Sequence, residues 1–399
     1  MRVALVVPHI FMQDELLGDV IFSPGELAMD LAAGLAAAGV EVEFFCPGQV
    51  SDSRLDGVSQ YNADLSFFDA ELKERGYGYK TLLKKHPLTF ISLARQVQSE
   101  LVAKAYALGN SAEIDLVHIY MNEEELALAF ADLCKVPVLF THHEPYNFST
   151  KYRTSFGKYK HRNLISISHS QREAMPEDTN WVGNVYHGLP QNRYNYVPAE
   201  SSPADQDSKS SEEYIAFLGR IIEPKGVHLA IQAAKAAGIR LKIAGKHYSG
   251  YSKDSYWEKI IKPEIDGERV EYVGFLKSIE QKQKFLGNAL GLIMPSTWQE
   301  PFGMVMIESL ACGTPIVGLA NGAIPEVVRD GENGFLSDYS PSSKYARDNT
   351  QVEVIKSLAR NIQKLPKLDR RKVRESFEEK FTLEQMVSGH IELYEKHKA

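Results

Sequence analysis

"LGLIMPSTWQEPFGMVMIESLACGTPIVG", residues 290–318, reads as strand, loop, helix and strand in turn. The apolar runs at 290–295 and 314–318 are too short for helices. Between them, 302–311 carries helical spacing and stops at Gly313, just ahead of Pro315. Two strands that are apolar throughout, joined by a helix, indicate a parallel sheet covered on both faces. The same alternation extends outward to strands at 214–219, 240–245 and 270–274. It recurs in the first half at 2–7, 40–45, 115–120, 136–141 and 164–168. A helix over 24–38 opens on Ser23-Pro24-Gly25-Glu26, a capping pattern that Ser170 to Glu173 repeats.

At 399 residues the chain exceeds what one core supports. The break falls at 198–213, "PAESSPADQDSKSSEE", which is polar and rich in Pro and Ser and reads as a linker. The expected organisation is therefore an α/β unit at 1–197, the linker 198–213, and a second α/β unit at 214–379. A helical tail at 380–399 packs back on the first unit, and its Phe381, Met386, Ile391 and Tyr394 need a surface to cover.

A net charge of −7 argues against nucleic acid as a partner. Cys46, Cys134 and Cys312 are scattered and odd in number, which favours a reducing, cytoplasmic setting. The opening "MRVALVVPHIF" reads as a strand rather than a signal peptide, and no apolar run approaches a membrane-spanning length. Attachment to a membrane surface stays compatible with this composition. His118, His169 and His187 lack metal-ligand spacing, and no metal site is expected.

Two stretches carry candidate chemistry. In "FLGRIIEPKG", 217–226, Arg220 and Lys225 follow a strand that ends at Gly219, and open α/β sheets bind ligands beyond the carboxyl ends of their strands. Their guanidinium and ammonium suit a diphosphate, although two loop cations are as readily just solvated. In the opening stretch, the first N–H groups of the helix, from Phe302 through Gly303 and Met304 to Val305, form an anion site. Glu300 and Glu308 then lie toward opposite ends of a bound anion, where carboxylates accept hydrogen bonds from hydroxyls. A ligand with a diphosphate in the middle and a sugar at each end fits, and a nucleoside diphosphate sugar is such a ligand. The plainer alternative is that Glu300 caps the helix and Glu308 is solvated.

"FLGRIIEPKG", "MPSTWQEPFGMVMIESLACGTPIV" and "GAIPEVVRDGENGFL" together resemble the retaining glycosyltransferases of family GT4. The first half adds "VPVLFTHHE" and "VYHGLPQNRYNYVP". The resemblance implies the GT-B fold, two Rossmann-like parallel-sheet domains facing each other across a cleft. It places Arg220 and Lys225 on the donor diphosphate, Glu308 on the ribose hydroxyls and Glu300 at the donor sugar. It puts the amides of Phe302 to Val305 against the phosphates or sugar. Counting from the proline that opens the strand sets His143, rather than the adjacent His142, on the family's histidine near the reacting carbon. The family's Gly-Gly pair after the first strand is missing. Phe22-Ser23 stands there instead, so Gly18 or another closure of that loop must serve.

The implied reaction moves a hexose to a hydroxyl acceptor by a front-face, retaining route, with no metal and no cofactor beyond the nucleotide-sugar donor. The acceptor is open: a sugar, a lipid-linked molecule or a small molecule. Basic residues in "LLKKHPL" (82–88) and "KYRTSFGKYKHR" (151–162) are compatible with an anionic, membrane-borne one. Competing expectations are a phosphorylase, a sugar-nucleotide epimerase, or a catalytically weak protein that binds sugar nucleotides.

Overall fold

The computed structural model describes residues 1–13, 16, 23–120, 125–198, 213–247, 256–339 and 347–398. Gly18 and almost all of the expected linker lie outside the described residues. The chain divides into two compact units, Met1–Gly188 with Leu383–Ala399, and Leu189–Thr382. Residues 189–197, expected in the first unit, group with the second.

The N-terminal unit holds seven parallel strands: β1 (Arg2–Val6), β2 (Glu41–Cys46), β3 (Ser59–Asn62), β4 (Leu116–Tyr120), β5 (Val138–Thr141), β6 (Asn163–Ser166) and β7 (Trp181–Asn184). Their order is β3-β2-β1-β4-β5-β6-β7, so the order of strands reverses between β1 and β4. The inner strands β1, β4 and β5 are buried almost along their length because helices cover both faces, which is why each reads as a mainly apolar run. The edge strands β3 and β7, "SQYN" and "WVGN", are only partly buried, and their mixed composition gave no such signal.

The C-terminal unit repeats the plan with β8 (Tyr214–Leu218), β9 (Arg240–Ala244), β10 (Val270–Gly274), β11 (Gly291–Met294), β12 (Ile316–Leu319) and β13 (Gly334–Ser337). The order is β10-β9-β8-β11-β12-β13, with the reversal between β8 and β11. In an open parallel sheet that reversal splays the loops leaving the two strands and opens a crevice between them.

Three local expectations need correction. The helix expected from Phe302 begins at Met304, because Gly303 adopts a left-handed backbone (φ 90°) that ends the preceding loop. The segment at Ser170–Ala174 is a short 3-10 turn, and the hydroxyl that accepts the Gln171 N–H belongs to Ser168, not Ser170. The C-terminal tail is not one helix. One helix, Arg370–Lys380, ends before Phe381, which is buried in the C-terminal unit. A second, Leu383–His397, buries Met386 and Tyr394 within the N-terminal unit.

Candidate functional site

The loops that leave β8 and β11 form the centre of the C-terminal unit's site. They are fastened together where the Thr297 N–H donates to the Pro224 carbonyl at 2.8 Å. Gly226 closes the first loop with φ 71°, and a Cβ there would stand 2.0 Å from the Pro295 carbonyl oxygen, so only glycine fits. The second loop is held from behind. The Asn321 amide donates to the Ser296 and Trp298 carbonyls, and the Ala323 N–H donates to the Glu300 carbonyl.

Arg220 and Lys225 converge on the Trp298 ring, 5.3 and 4.8 Å from its centroid. Glu300 is buried beside them, 5% exposed. Its Oε2 accepts from Lys225 Nζ at 2.5 Å, Trp298 Nε1 at 3.0 Å and Ser296 Oγ at 3.3 Å. Burial alone would push this carboxyl up, but Lys225, the indole N–H and Arg220 outweigh it and hold it below the ordinary carboxylate range. The two cations and Glu300 are thus a single cluster, which sequence spacing did not reveal. Trp298 and Ser296 were missed as well, although both stand inside the quoted "STWQEPFG".

The helix Met304–Ala311 starts just beyond Glu300 and has no side-chain cap. Its first bonded amide is Met306, which donates to the Gly303 carbonyl, so the Met304 and Val305 N–H groups precede the helix ladder. Residues 303–305 are partly exposed. Phe302, whose amide is expected among the anion-binding groups, has its ring buried, with its centroid 6.1 Å from that of Phe381. Glu308, farther along this helix, is 7% exposed and pairs through Oε1 with Lys282 Nζ at 3.1 Å. Its Oε2 is buried with no hydrogen-bond partner among the described residues. Lys282 lies on the helix Ile279–Gly287, and nothing in the local sequence marked it.

In the N-terminal unit both candidate histidines follow β5. His142 is fully buried among the rings of Tyr146, Tyr152 and Phe156, and burial pushes it down to about 3. His143 is 9% exposed, meets Tyr120 edge-on and stacks on His187, with Nδ1 and Nε2 3.3 Å apart. Burial, then its histidine neighbours, hold His143 well below its ordinary value. His187 follows β7 in this unit, and its part in the cluster had no sequence signal. The basic stretch at 151–162 is largely neutralised: Lys151 pairs with Glu125, Lys160 with Asp178 and Arg162 with Asp132. Among the described residues no cluster of three or more His, Cys, Asp or Glu side chains is placed to hold a metal.

Residues 199–365 match the sequence profile of the family "Glycosyl transferases group 1". The match takes in nearly the whole of the C-terminal sheet unit. Every site residue described above in the C-terminal unit falls within it. The D-inositol 3-phosphate glycosyltransferase of Mycobacterium marinum is 32% identical over 130 residues, which cover 32% of this chain and 28% of that protein. The chain spans half or less of the length of the first curated relatives it matches. Among solved structures, the sucrose-phosphate synthase of Thermosynechococcus elongatus superposes with a TM-score of 0.68 at 18% identity, over 99% of this chain and 98% of that one. Alr3699/HepE of Anabaena, in complex with UDP and glucose, gives 0.63 at 16% identity, over 99% and 100%. The chain therefore has the GT-B fold. Among its described residues, no helix is long and apolar enough to cross a membrane.

Proposed function

We propose that this chain transfers a hexose from a nucleoside diphosphate sugar to a hydroxyl acceptor, retaining anomeric configuration and using neither a metal nor a cofactor. The observation that carries the reading is the Glu308 carboxylate. One oxygen is tied to Lys282, and the other is buried without a hydrogen-bond partner of good geometry among the described residues, with the Tyr194 side chain close to the same carboxylate. An acceptor atom left in this state is costly unless a ligand hydroxyl completes it. The vicinal hydroxyls of a ribose supply such donors. From there the diphosphate reaches the Met304 and Val305 amides and the Arg220–Lys225 pair, where negative charge is stabilised.

The chemistry follows from that placement. As the sugar–phosphate bond breaks, charge accumulates on the diphosphate, and fixed cations and a helix terminus stabilise it without reorganising. Glu300, kept ionised by Lys225, faces the sugar end and favours the oxocarbenium-like character developing there. The acceptor hydroxyl attacks from the leaving-group side and gives its proton to a diphosphate oxygen. His143, less buried than His142, is the histidine we assign to the sugar's vicinity. We place the reaction in the cytoplasm. UDP-sugars are the first donors to test, because a protein of the same fold holds UDP and glucose. Thermal-shift screening with UDP-, GDP- and ADP-sugars should yield one stabilising series. Glu308→Ala should then weaken the best nucleotide by about tenfold or more, the worth of a lost hydrogen bond to a charged group. Undiminished affinity in that variant would sink the assignment.

A further inference from the structure

Just beyond β1, where the N-terminal sheet reverses its strand order, the chain bounds a cavity of about 300 Å³. Its wall is mainly apolar, with Phe11, Leu83, Phe90 and Ile91 prominent, and its polar atoms come chiefly from His9 and Gln98. At roughly 30 Å³ for a water-sized group, it has room for about ten such groups. The cavity opens onto an apolar path. Ile91 lines it yet is 48% exposed, and Leu88, one turn earlier on the helix Pro87–Asn110, is 82% exposed. Isolated exposed apolar residues need no explanation, but a pair continuous with an apolar cavity marks a binding surface. Residues 84–89 are exposed throughout, so Lys84 and Lys85 set positive charge beside that path.

We propose that this cavity holds the apolar chain of the acceptor, an amphiphile with a phosphate near its first carbons. The inference rests on the transferase reading above and deepens it by naming the acceptor's class. Complementarity is twofold: a mainly apolar wall for the chain, and exposed Lys84 and Lys85, which follow the lining Leu83 in the chain, for the phosphate.

The test is calorimetric titration of the full chain with inorganic phosphate and with butyl, hexyl and octyl phosphate. Affinity should rise about fourfold per added methylene until the cavity is full, the factor that corresponds to burying one CH₂. Ala94→Phe, which fills the cavity, should abolish this dependence on chain length. Ile91→Glu, at the exposed mouth, should weaken octyl phosphate at least tenfold, with circular dichroism melts confirming that both variants fold. Equal affinity for the three alkyl phosphates, or a chain-length dependence that survives Ala94→Phe, overturns the proposal. UDP titrated in parallel separates the two readings. Nucleotide binding that depends on Glu308, without any alkyl effect, leaves the donor assignment standing and removes this one. Alkyl binding without nucleotide binding removes the donor assignment, and with it the cavity's role as an acceptor site, and leaves only a site for alkyl phosphates.

Discussion

Replacing Glu300 by Gln tests the charge cluster directly. The carboxylate side chain is 6% exposed and its partner Lys225 14%, so neither group has water to fall back on. Removing one member of a buried pair typically costs 3–5 kcal/mol, most of it the penalty of the charge left behind. Here Lys225 keeps the Trp298 ring and the glutamine carbonyl can still accept from the indole N–H, which sets the expected loss near the lower end, about 3 kcal/mol. For a unit of this size that corresponds to a fall in Tm of roughly 6–12 °C. The variant should nevertheless bind UDP at least as tightly as the native chain, because the diphosphate restores a negative partner to Lys225 and no longer meets the glutamate's charge. Differential scanning calorimetry with and without saturating UDP reads both effects: a lower Tm without nucleotide, a larger UDP-induced shift, and reduced sugar transfer. The sign with pH follows. With its folded pKa below the ordinary 4.5, the native carboxylate contributes stability that is full above that value and lost as pH falls through the folded pKa. A Tm unchanged within a degree, or UDP affinity that falls tenfold, would refute the reasoning.

Two further outcomes concern the N-terminal unit. Burial holds His142, His187 and His390 at about 3, so this unit's stability is full above the unfolded value of 6.5 and is lost as pH falls toward 3. Each should cost about 2 kcal/mol between pH 7 and pH 5, and urea titrations at the two pH values should show a smaller difference in His390→Leu. Tyr394→Phe removes the buried bond between its hydroxyl and His118 Nδ1 at 2.7 Å and should cost about 1–3 kcal/mol; loss of the same amount at an exposed control tyrosine would show that the bond is not the cause.

The central strands were legible because a doubly covered strand is apolar nearly throughout, as "VALV" (3–6) and "YIAFL" are. At the sheet edges that requirement lapses, and "SQYN", "WVGN" and "GFLS" pass for loops. Helix boundaries depended on backbone geometry that composition does not report. Gly303's left-handed turn moved one start by two residues, and the tail 380–396 spans the junction between Phe381, buried in one unit, and Met386, buried in the other. Charge is hard to read where its partners are distant in sequence. The cations of 151–162 are compatible with a solvated loop or a binding patch, and three of them pair with Glu125, Asp132 and Asp178.

The two glutamates of the opening stretch show where such reading ends. Their spacing in the sequence makes them look equivalent, a carboxylate on either side of a helix start. Tertiary partners make them opposites. Glu300 directs one oxygen at three donors, two of them from its own loop and one from Lys225, 75 residues earlier. Such a group is anchored, and its charge serves first to hold a lysine in place. Glu308 is neutralised on one side by Lys282 and has a bare oxygen on the other, among the described residues. A half-satisfied buried carboxylate weakens the unliganded protein, so its place in the second turn of this helix fits a ligand that brings the missing donor. On the function proposed above, the Glu308 oxygen is assigned to nucleotide affinity. The filled one of Glu300 is assigned to the electrostatics of the step that follows binding.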